Sequence, residues 1–228
     1  MTQAEQAVSF PSGTKLEGYL VRPPGDGPFP GVVIIHEIFG LNDNIREIAR
    51  RFANEGYVAL AVDLFAGRNR AACMYRVVSD QFFNRPEKNK GISDLKQALT
   101  FLAEQPGVDK DKLGAIGFCM GGYYAIAWAC TDARLKVIAP YYAMNPRPLE
   151  AVARACPVVG SYPDKDFTTK PGQKLEVTLA QSNITHDIKI YPDTRHSFFN
   201  DRGATYNEAA AKDSWQRVMA FFKAQLNK

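Results

Sequence analysis

The sequence lacks the features that would place a protein in a membrane or outside the cell. None of its apolar runs reaches the roughly 20 residues that a membrane-spanning helix needs. The first ten residues, MTQAEQAVSF, contain neither a basic region nor an apolar core, so they do not resemble a secretory signal. The four cysteines show neither a C-x-x-C spacing nor a metal-site pattern. We therefore expect a cytoplasmic protein with reduced thiols.

A strong excess of one charge is also missing. The 28 lysines and arginines nearly balance 24 acidic residues, which leaves a formal net charge of +4. The one basic cluster is diluted by apolar and acidic neighbours, whereas nucleic-acid binding needs a basic stripe. That cluster comprises Arg68, Arg70, Arg76 and Arg85. The charge pattern predicts neither nucleic-acid nor membrane partners, but it is compatible with a small anionic substrate.

Alternation of β-branched apolar runs with segments of helical period predicts an α/β fold in one domain spanning 1–228. We expect a mostly parallel sheet with helices on both faces. Strands are predicted at 16–21, 31–37, 57–62, 113–118, 135–139, 157–161 and 188–191. Helical faces are predicted within 44–55, 92–102, 126–128 and 215–222. The stretch 63–90 has no clear period and is expected to be a loop or short helices covering a site.

The central motif is Gly-Phe-Cys-Met-Gly at 117–121, where a predicted strand ends and a helix begins. A nucleophile elbow has this glycine spacing, because its sharp turn crowds out a Cβ on either side of the reactive residue. The helix N-terminus below the turn favours an anion, and the thiolate is the reactive form of cysteine. Five residues alone also fit a small-residue turn with a buried cysteine. The interpretation therefore depends on an acid and a histidine following Cys119.

The order nucleophile, acid, histidine is typical of α/β-hydrolases. Of the three histidines, His36 precedes the nucleophile and His186 begins a predicted strand. His196 follows the last strand on a loop at the carboxyl edge of the sheet, where sites are built. Asp164 and Asp166 both follow the strand at 157–161, so either could be the acid.

Five segments together give a specific resemblance that covers nearly the whole chain. They are 30–41, 56–59, 117–122, 156–160 and 196–199. In these segments the chain resembles the dienelactone hydrolase family, which implies a single-domain α/β-hydrolase with a cysteine nucleophile. The family's triad carries over onto Cys119, Asp166 and His196, and the spacing from Pro157 favours Asp166 over Asp164. No metal or organic cofactor is implied.

The resemblance assigns three further residues to the site. It implies that the Glu37 carboxylate takes part in activating the thiol, which is chemically sensible because a carboxylate can accept the thiol proton. The oxyanion hole would consist of the backbone N–H groups of Ile38 and Met120.

Two positions depart from the family pattern. Asn200 stands where members that bind dienelactone carboxylates carry an arginine, and Arg195 stands where a small residue is usual. Dienelactone itself is therefore an open question. Arg195, or the arginines within 63–90, could contact an anionic substrate. Tyr123 and Tyr142 are candidates for the pocket lining, although aromatics at such spacings are more often core residues.

These features predict a hydrolase that cleaves small-molecule esters or lactones through an acyl-enzyme, acting as a monomer or homodimer. A general carboxylesterase or thioesterase is the nearest alternative. A class I glutamine amidotransferase-like protein also has a cysteine elbow, but it usually has a late His-x-Glu pair, and here Ser197 and Phe198 follow His196. A catalytically silent α/β-hydrolase scaffold is the alternative from another class.

Overall fold

One eight-stranded sheet forms the centre of the molecule, in the order β1-β2-β4-β3-β5-β6-β7-β8. The structure, a computed structural model, describes residues 3–10, 16–66 and 68–227. The strands are β1 (Ala4–Phe10), β2 (Leu16–Arg22), β3 (Phe29–Ile35), β4 (Val58–Asp63), β5 (Val108–Phe118), β6 (Leu135–Tyr141), β7 (Val158–Pro163) and β8 (His186–Tyr191). The helices are α1 (Asp43–Asn54), α2 (Arg70–Phe82), α3 (Lys90–Ala103), α4 (Met120–Ala129), α5 (Thr169–Gln181) and α6 (Glu208–Leu226), with short 3-10 turns at Pro86–Lys88 and Leu149–Arg154.

Strands β3 to β8 run parallel, and β2 and β1 extend the sheet in antiparallel fashion. Parallel strands require helical crossovers, which cover both faces and make the central strands apolar throughout. Val32 to Ile35 in β3 are accordingly all fully buried. The carboxyl ends of these six strands meet at one edge of the sheet, and the loops that follow them can share one site.

The helices divide between the two faces of the sheet. Helices α1 and α6 pack with Val32 and Ile34 on one face. Helices α2 to α5 pack with Val33 and Ile35 on the other. This arrangement confirms the single-domain α/β fold with helices on both faces. No helix in the described part of the chain is long and apolar enough to cross a membrane.

Three regions differ from the sequence-based expectations. Strand β1 was not predicted; it is an edge strand whose side chains are mostly exposed, so it has no apolar run. Helix α5 was not predicted either, since only Gly172, Leu175 and Leu179 in it are buried. The stretch 63–90 is more regular than expected, because Arg70–Phe82 forms the 13-residue helix α2.

Candidate active site

Cys119 lies in a tight turn between β5 and α4. Its backbone has φ 55° and ψ −114°, an arrangement that non-glycine residues rarely adopt and that here presents the side chain at the sheet edge. A Cβ at Gly121 would lie 2.3 Å from the Ile35 carbonyl oxygen, and one at Gly117 would lie 2.1 Å from the Gly121 carbonyl oxygen. Both contacts are too short for any side chain, so the turn requires the two glycines.

His196 and Asp166 follow β8 and β7 at the same edge. The His196 Nδ1–H donates to Asp166 Oδ2 over 2.7 Å. That carboxylate also accepts from the Thr168 hydroxyl at 2.5 Å. Burial raises the pKa of Asp166, but the hydrogen bonds from His196 and Thr168 outweigh burial and leave it below its usual value. Asp166 is therefore held as a carboxylate against the histidine.

Asp164, the other candidate acid, has a different role in the structure. Its carboxylate accepts the backbone N–H groups of Asp193 at 2.9 Å and Thr194 at 3.1 Å. These bonds tie the loop after β7 to the loop that carries His196. Asp164 thus shapes the backbone, while Asp166 contacts the imidazole.

The His196 ring also interacts with Cys119. Burial lowers the pKa of His196, but its interactions with Asp166 and Cys119 outweigh burial and raise the pKa to about 10. The Phe167 ring stacks on the imidazole with centroids 5.0 Å apart, and Tyr142 lies 5.0 Å away. The order Cys119, His196, Asp166 is that of a nucleophile, a base and an orienting acid.

Glu37 is buried beside this group, with 4% of its surface exposed. Its carboxylate accepts a 2.7 Å hydrogen bond from the Ser197 hydroxyl. Burial, followed by the nearby charges of Glu37 and Cys119, raises the pKa of Tyr142 well above its ordinary value. In this conformation the Glu37 carboxylate is hydrogen-bonded to Ser197, whereas Cys119 interacts with His196.

The two expected oxyanion donors flank the nucleophile. Ile38, Met120 and Cys119 line one cavity. Within the described residues, neither the Ile38 N–H nor the Met120 N–H has a hydrogen-bond partner in the protein. Both donors are therefore available for an oxygen atom bound next to Cys119.

The cavity above Cys119 has a volume of about 260 Å³ and is largely apolar. Helix α2 supplies one wall. The lining residues are Ile38, Met74, Val77, Val78, Gln81, Phe82, Cys119, Met120, Tyr142, Met144 and Phe167. No lysine, arginine, aspartate or glutamate occurs in this lining, and Tyr142 is part of it.

The other tentative binding residues lie outside that lining. Tyr123 is fully buried, and its hydroxyl donates to the backbone carbonyl oxygen of Asp80, so its ring is part of the core. Arg195 is exposed and Asn200 half-buried; neither lines the cavity.

The arginine cluster also has other partners. Arg68 and Arg76 both bond Asp94, at 2.9 and 2.8 Å, and border a separate cavity of about 580 Å³. Arg70 donates to the Ile38 carbonyl oxygen at 3.2 Å, and Arg85 is exposed. None of the four lines the cavity above Cys119.

Unusual backbone conformations concentrate at this site. Among the described residues, five non-glycine residues have positive φ, and Cys119, Tyr142 and Ser197 are three of them. Such conformations cost free energy and persist where the surroundings enforce them, commonly at functional sites. The Ser197 contact with Glu37 was not expected from the sequence, although a hydroxyl directly after the histidine could have suggested it. No group of three or more metal-ligating side chains occurs in the described residues.

Comparison with known proteins agrees with this geometry. The chain matches the sequence profile of the dienelactone hydrolase family over residues 16–226. It is 34% identical over 256 residues to a Saccharolobus solfataricus protein named "Putative carboxymethylenebutenolidase", covering 96% of this chain and 98% of that one.

Solved structures show the same fold. A crystal structure described as "Putative Dienelactone Hydrolase" from Klebsiella pneumoniae superposes with a TM-score of 0.83 at 29% identity, covering 98% of this chain and 99% of that one. A dienelactone hydrolase-like promiscuous phosphotriesterase from metagenomic libraries superposes with a TM-score of 0.86 at 24% identity, covering 98% of each chain. By its fold, its elbow and its full-length match, the chain belongs to the dienelactone hydrolase family.

Proposed function

We propose that this protein hydrolyses esters or lactones of small molecules through a thioester formed on Cys119. The observation that carries the proposal is the chain of contacts at the elbow. Cys119 interacts with His196 and contributes to the raised pKa of its imidazole, and His196 donates to Asp166 over 2.7 Å. This arrangement provides a nucleophile, a general base and a residue that orients the base.

In the proposed reaction the thiol proton of Cys119 already resides on His196 before the substrate binds, because the pKa of His196 is raised to about 10. The thiolate attacks the substrate carbonyl carbon, and the N–H groups of Ile38 and Met120 stabilise the negative charge that develops on the carbonyl oxygen. Collapse of the tetrahedral intermediate leaves the acyl group on sulfur, while His196 protonates the departing alkoxide. His196 then takes a proton from water, the resulting hydroxide attacks the thioester, and the thiolate departs with release of the carboxylic acid.

Asp166 and Glu37 have separate roles in this proposal. Asp166 holds the imidazole in position and favours its protonated form, because the carboxylate lies against Nδ1. Glu37 takes part in activating the thiol, as the family resemblance implies, by serving as a second acceptor for the thiol proton. In the described conformation the hydrogen bond from Ser197 holds its carboxylate in place.

The apolar cavity favours substrates whose bound part is uncharged. A carboxylate placed against Met74, Val77 or Phe82 would lose its water without gaining a charged partner. Arg195 lies outside the lining and cannot compensate without moving. Small aryl esters and uncharged lactones are thus the preferred class, with at most a modest preference for carboxylate-bearing esters.

The decisive experiment is a hydrolysis screen over lactones, aryl esters and thioesters, with Cys119→Ala as the control. We expect turnover of uncharged aryl esters by the wild-type protein, an acyl adduct on Cys119 in quenched samples analysed by mass spectrometry, and neither in Cys119→Ala. Equal turnover by Cys119→Ala would refute the nucleophile. A strong preference for thioesters would indicate a thioesterase, and no turnover of any substrate would favour a silent scaffold.

A further inference from the structure

His36 is a buried imidazole for which the proposed reaction has no use. It follows the last residue of β3 and is 0% exposed, and it precedes the nucleophile in the chain. Its Nε2 lies 3.0 Å from the backbone N–H of Leu64. An amide N–H can only donate, so Nε2 accepts and the ring carries its proton on Nδ1.

The proton on Nδ1 has a defined acceptor. Nδ1 lies 2.5 Å from the Glu37 carbonyl oxygen. The same oxygen accepts the Gly40 N–H at 3.2 Å. Two donors thus hold the Glu37 carbonyl oxygen. One of them is the His36 ring, whose tautomer is fixed by the backbone N–H of Leu64 in the loop after β4.

That carbonyl belongs to the peptide unit that supplies the first oxyanion donor. The Glu37 C=O and the Ile38 N–H are the two ends of one peptide group, which is not among the cis bonds of the described chain. In a trans peptide the C=O and N–H point in opposite directions within one plane. Fixing the Glu37 carbonyl therefore fixes the direction of the Ile38 N–H.

We propose that His36 is a positioning residue for the oxyanion hole, one that orients and polarises the Glu37–Ile38 peptide so that the Ile38 N–H meets the developing negative charge. The inference rests on the proposed acyl transfer at Cys119. A hydrogen bond at the carbonyl end draws electron density from the amide and strengthens its N–H as a donor. Orientation set before the reaction is the property that makes such donors effective.

The residues around His36 hold its ring in this orientation. The Phe65 ring packs against the imidazole with centroids 4.8 Å apart. The Asp63 carboxylate lies 3.6 Å from Nε2, beyond hydrogen-bond distance, and its Oδ1 accepts the Phe65 N–H at 2.8 Å. The lone pair of Nε2 therefore remains with Leu64. A histidine that only filled the core would affect folding, with no selective effect on the step that creates an oxyanion.

The test compares two variants of similar shape, His36→Asn and His36→Leu. The asparagine amide can still donate to the Glu37 carbonyl oxygen, whereas leucine cannot. His186→Leu is the matched control, because His186 begins β8 at the opposite end of the sheet, where its Nδ1 contacts the Ile184 carbonyl oxygen. For each protein, kcat and KM for an uncharged aryl ester are measured together with the rate at which iodoacetamide alkylates Cys119.

The alkylation rate distinguishes a role of His36 in the oxyanion hole from a role in packing the core. Alkylation uses the same thiolate as hydrolysis but creates no oxyanion. We expect His36→Leu to lower kcat about 10- to 100-fold with KM and the alkylation rate changed less than about twofold. His36→Asn should recover most of kcat, and His186→Leu should match the wild type. An unchanged kcat in His36→Leu, or an equal fall in kcat and alkylation, would overturn the inference.

A measurement on the wild-type protein keeps the inference testable if His36→Leu does not fold. Nitrogen NMR of histidine-labelled protein should show His36 with its proton on Nδ1; a proton on Nε2 would overturn the inference. Failure of the proposed function looks different, because Cys119→Ala would then retain hydrolysis whatever the His36 variants do.

Discussion

At the scale of single residues, the four thiols of the chain lie in very different surroundings. Cys119 is partly exposed at the start of α4 beside His196. Burial raises the pKa of both Cys130 and Cys156 to about 12. Cys73 is a buried residue of α2. The reactivity of each cysteine therefore depends on its surroundings in the fold.

Iodoacetamide near neutral pH should accordingly alkylate Cys119 first in the folded protein. Cys119 lies at the start of α4 beside His196, whereas Cys73 and Cys130 are buried and burial raises the pKa of Cys130 and Cys156. Peptide mapping by mass spectrometry after short exposure gives the order of labelling, with urea-unfolded protein as the control in which all four react. Earlier labelling of Cys73, Cys130 or Cys156 would contradict the assignment.

Asp166→Asn and Asp164→Asn form a matched pair that tests the acid. Removing the Asp166 charge should lower kcat about 10²- to 10⁴-fold and lower the pKa of His196, because the carboxylate helps raise that pKa to about 10. Asp164→Asn removes only loop contacts and should cost much less activity. Kinetics and NMR titration of the His196 ring measure both effects. A larger loss of kcat in Asp164→Asn than in Asp166→Asn would identify Asp164 as the acid of the triad.

At the scale of elements, the sequence predicts most of the strands and helices of the core but not helix α2, which forms a wall of the cavity. Strand β3 and helix α1 are recognisable because buried faces impose an apolar period on them. Helix α2 buries only Cys73, Val77 and Asp80, and one of these is an aspartate, so its apolar period is too weak to recognise. The elbow and the chain order predict Cys119 and His196, whereas the choice of Asp166 over Asp164 rests on the family resemblance. The cavity is not predicted, because its wall depends on how α2 packs.

The elbow between β5 and α4 should tolerate no side chain at Gly121. Gly121→Ala would bring a Cβ to 2.3 Å from the Ile35 carbonyl oxygen, so backbone must move beside Cys119. We expect loss of most activity and a destabilisation of about 1–3 kcal/mol. Gly203→Ala is the control, since its Cβ would come no closer than 3.3 Å to Asn200. Thermal melts and aryl-ester kinetics report both effects; an active, stable Gly121→Ala would show that the turn is less crowded than described.

Side chains of α2 that line the cavity should determine the preference for charged or uncharged substrates. Gln81→Arg places a cation in a lining that otherwise has none, and a charge-assisted contact of about 1.5–3 kcal/mol corresponds to roughly 10- to 100-fold. We expect kcat/KM to rise by that factor for a carboxylate-bearing aryl ester relative to its uncharged analogue, and the gain to shrink with added salt. Arg195→Ala should leave the same ratio within about twofold. A large change of this ratio in Arg195→Ala would show that Arg195 contacts the substrate carboxylate.

At the scale of the whole molecule, the triad couples folding stability to pH. The pKa of His196 is raised to about 10 in the folded protein, so protonation favours the folded state. The stabilisation is fully present below about pH 6.5 and is lost as pH rises through about 10. Denaturant unfolding of wild type and His196→Ala should therefore show a larger difference in unfolding free energy, wild type minus variant, at pH 6 than at pH 10.5. A difference independent of pH would mean that His196 is not held in its protonated form.

In the proposed mechanism, the residues that carry out the reaction and the residues that select the substrate occupy separate stretches of the chain. Cys119, Asp166 and His196 follow β5, β7 and β8, whereas one wall of the cavity is the 13-residue helix Arg70–Phe82 between β4 and α3. A lineage, or an engineer, could therefore replace the wall and leave the reactive centre intact. Libraries confined to Met74, Val77, Val78, Gln81 and Phe82 offer the shortest route from this protein to relatives that accept other acyl groups.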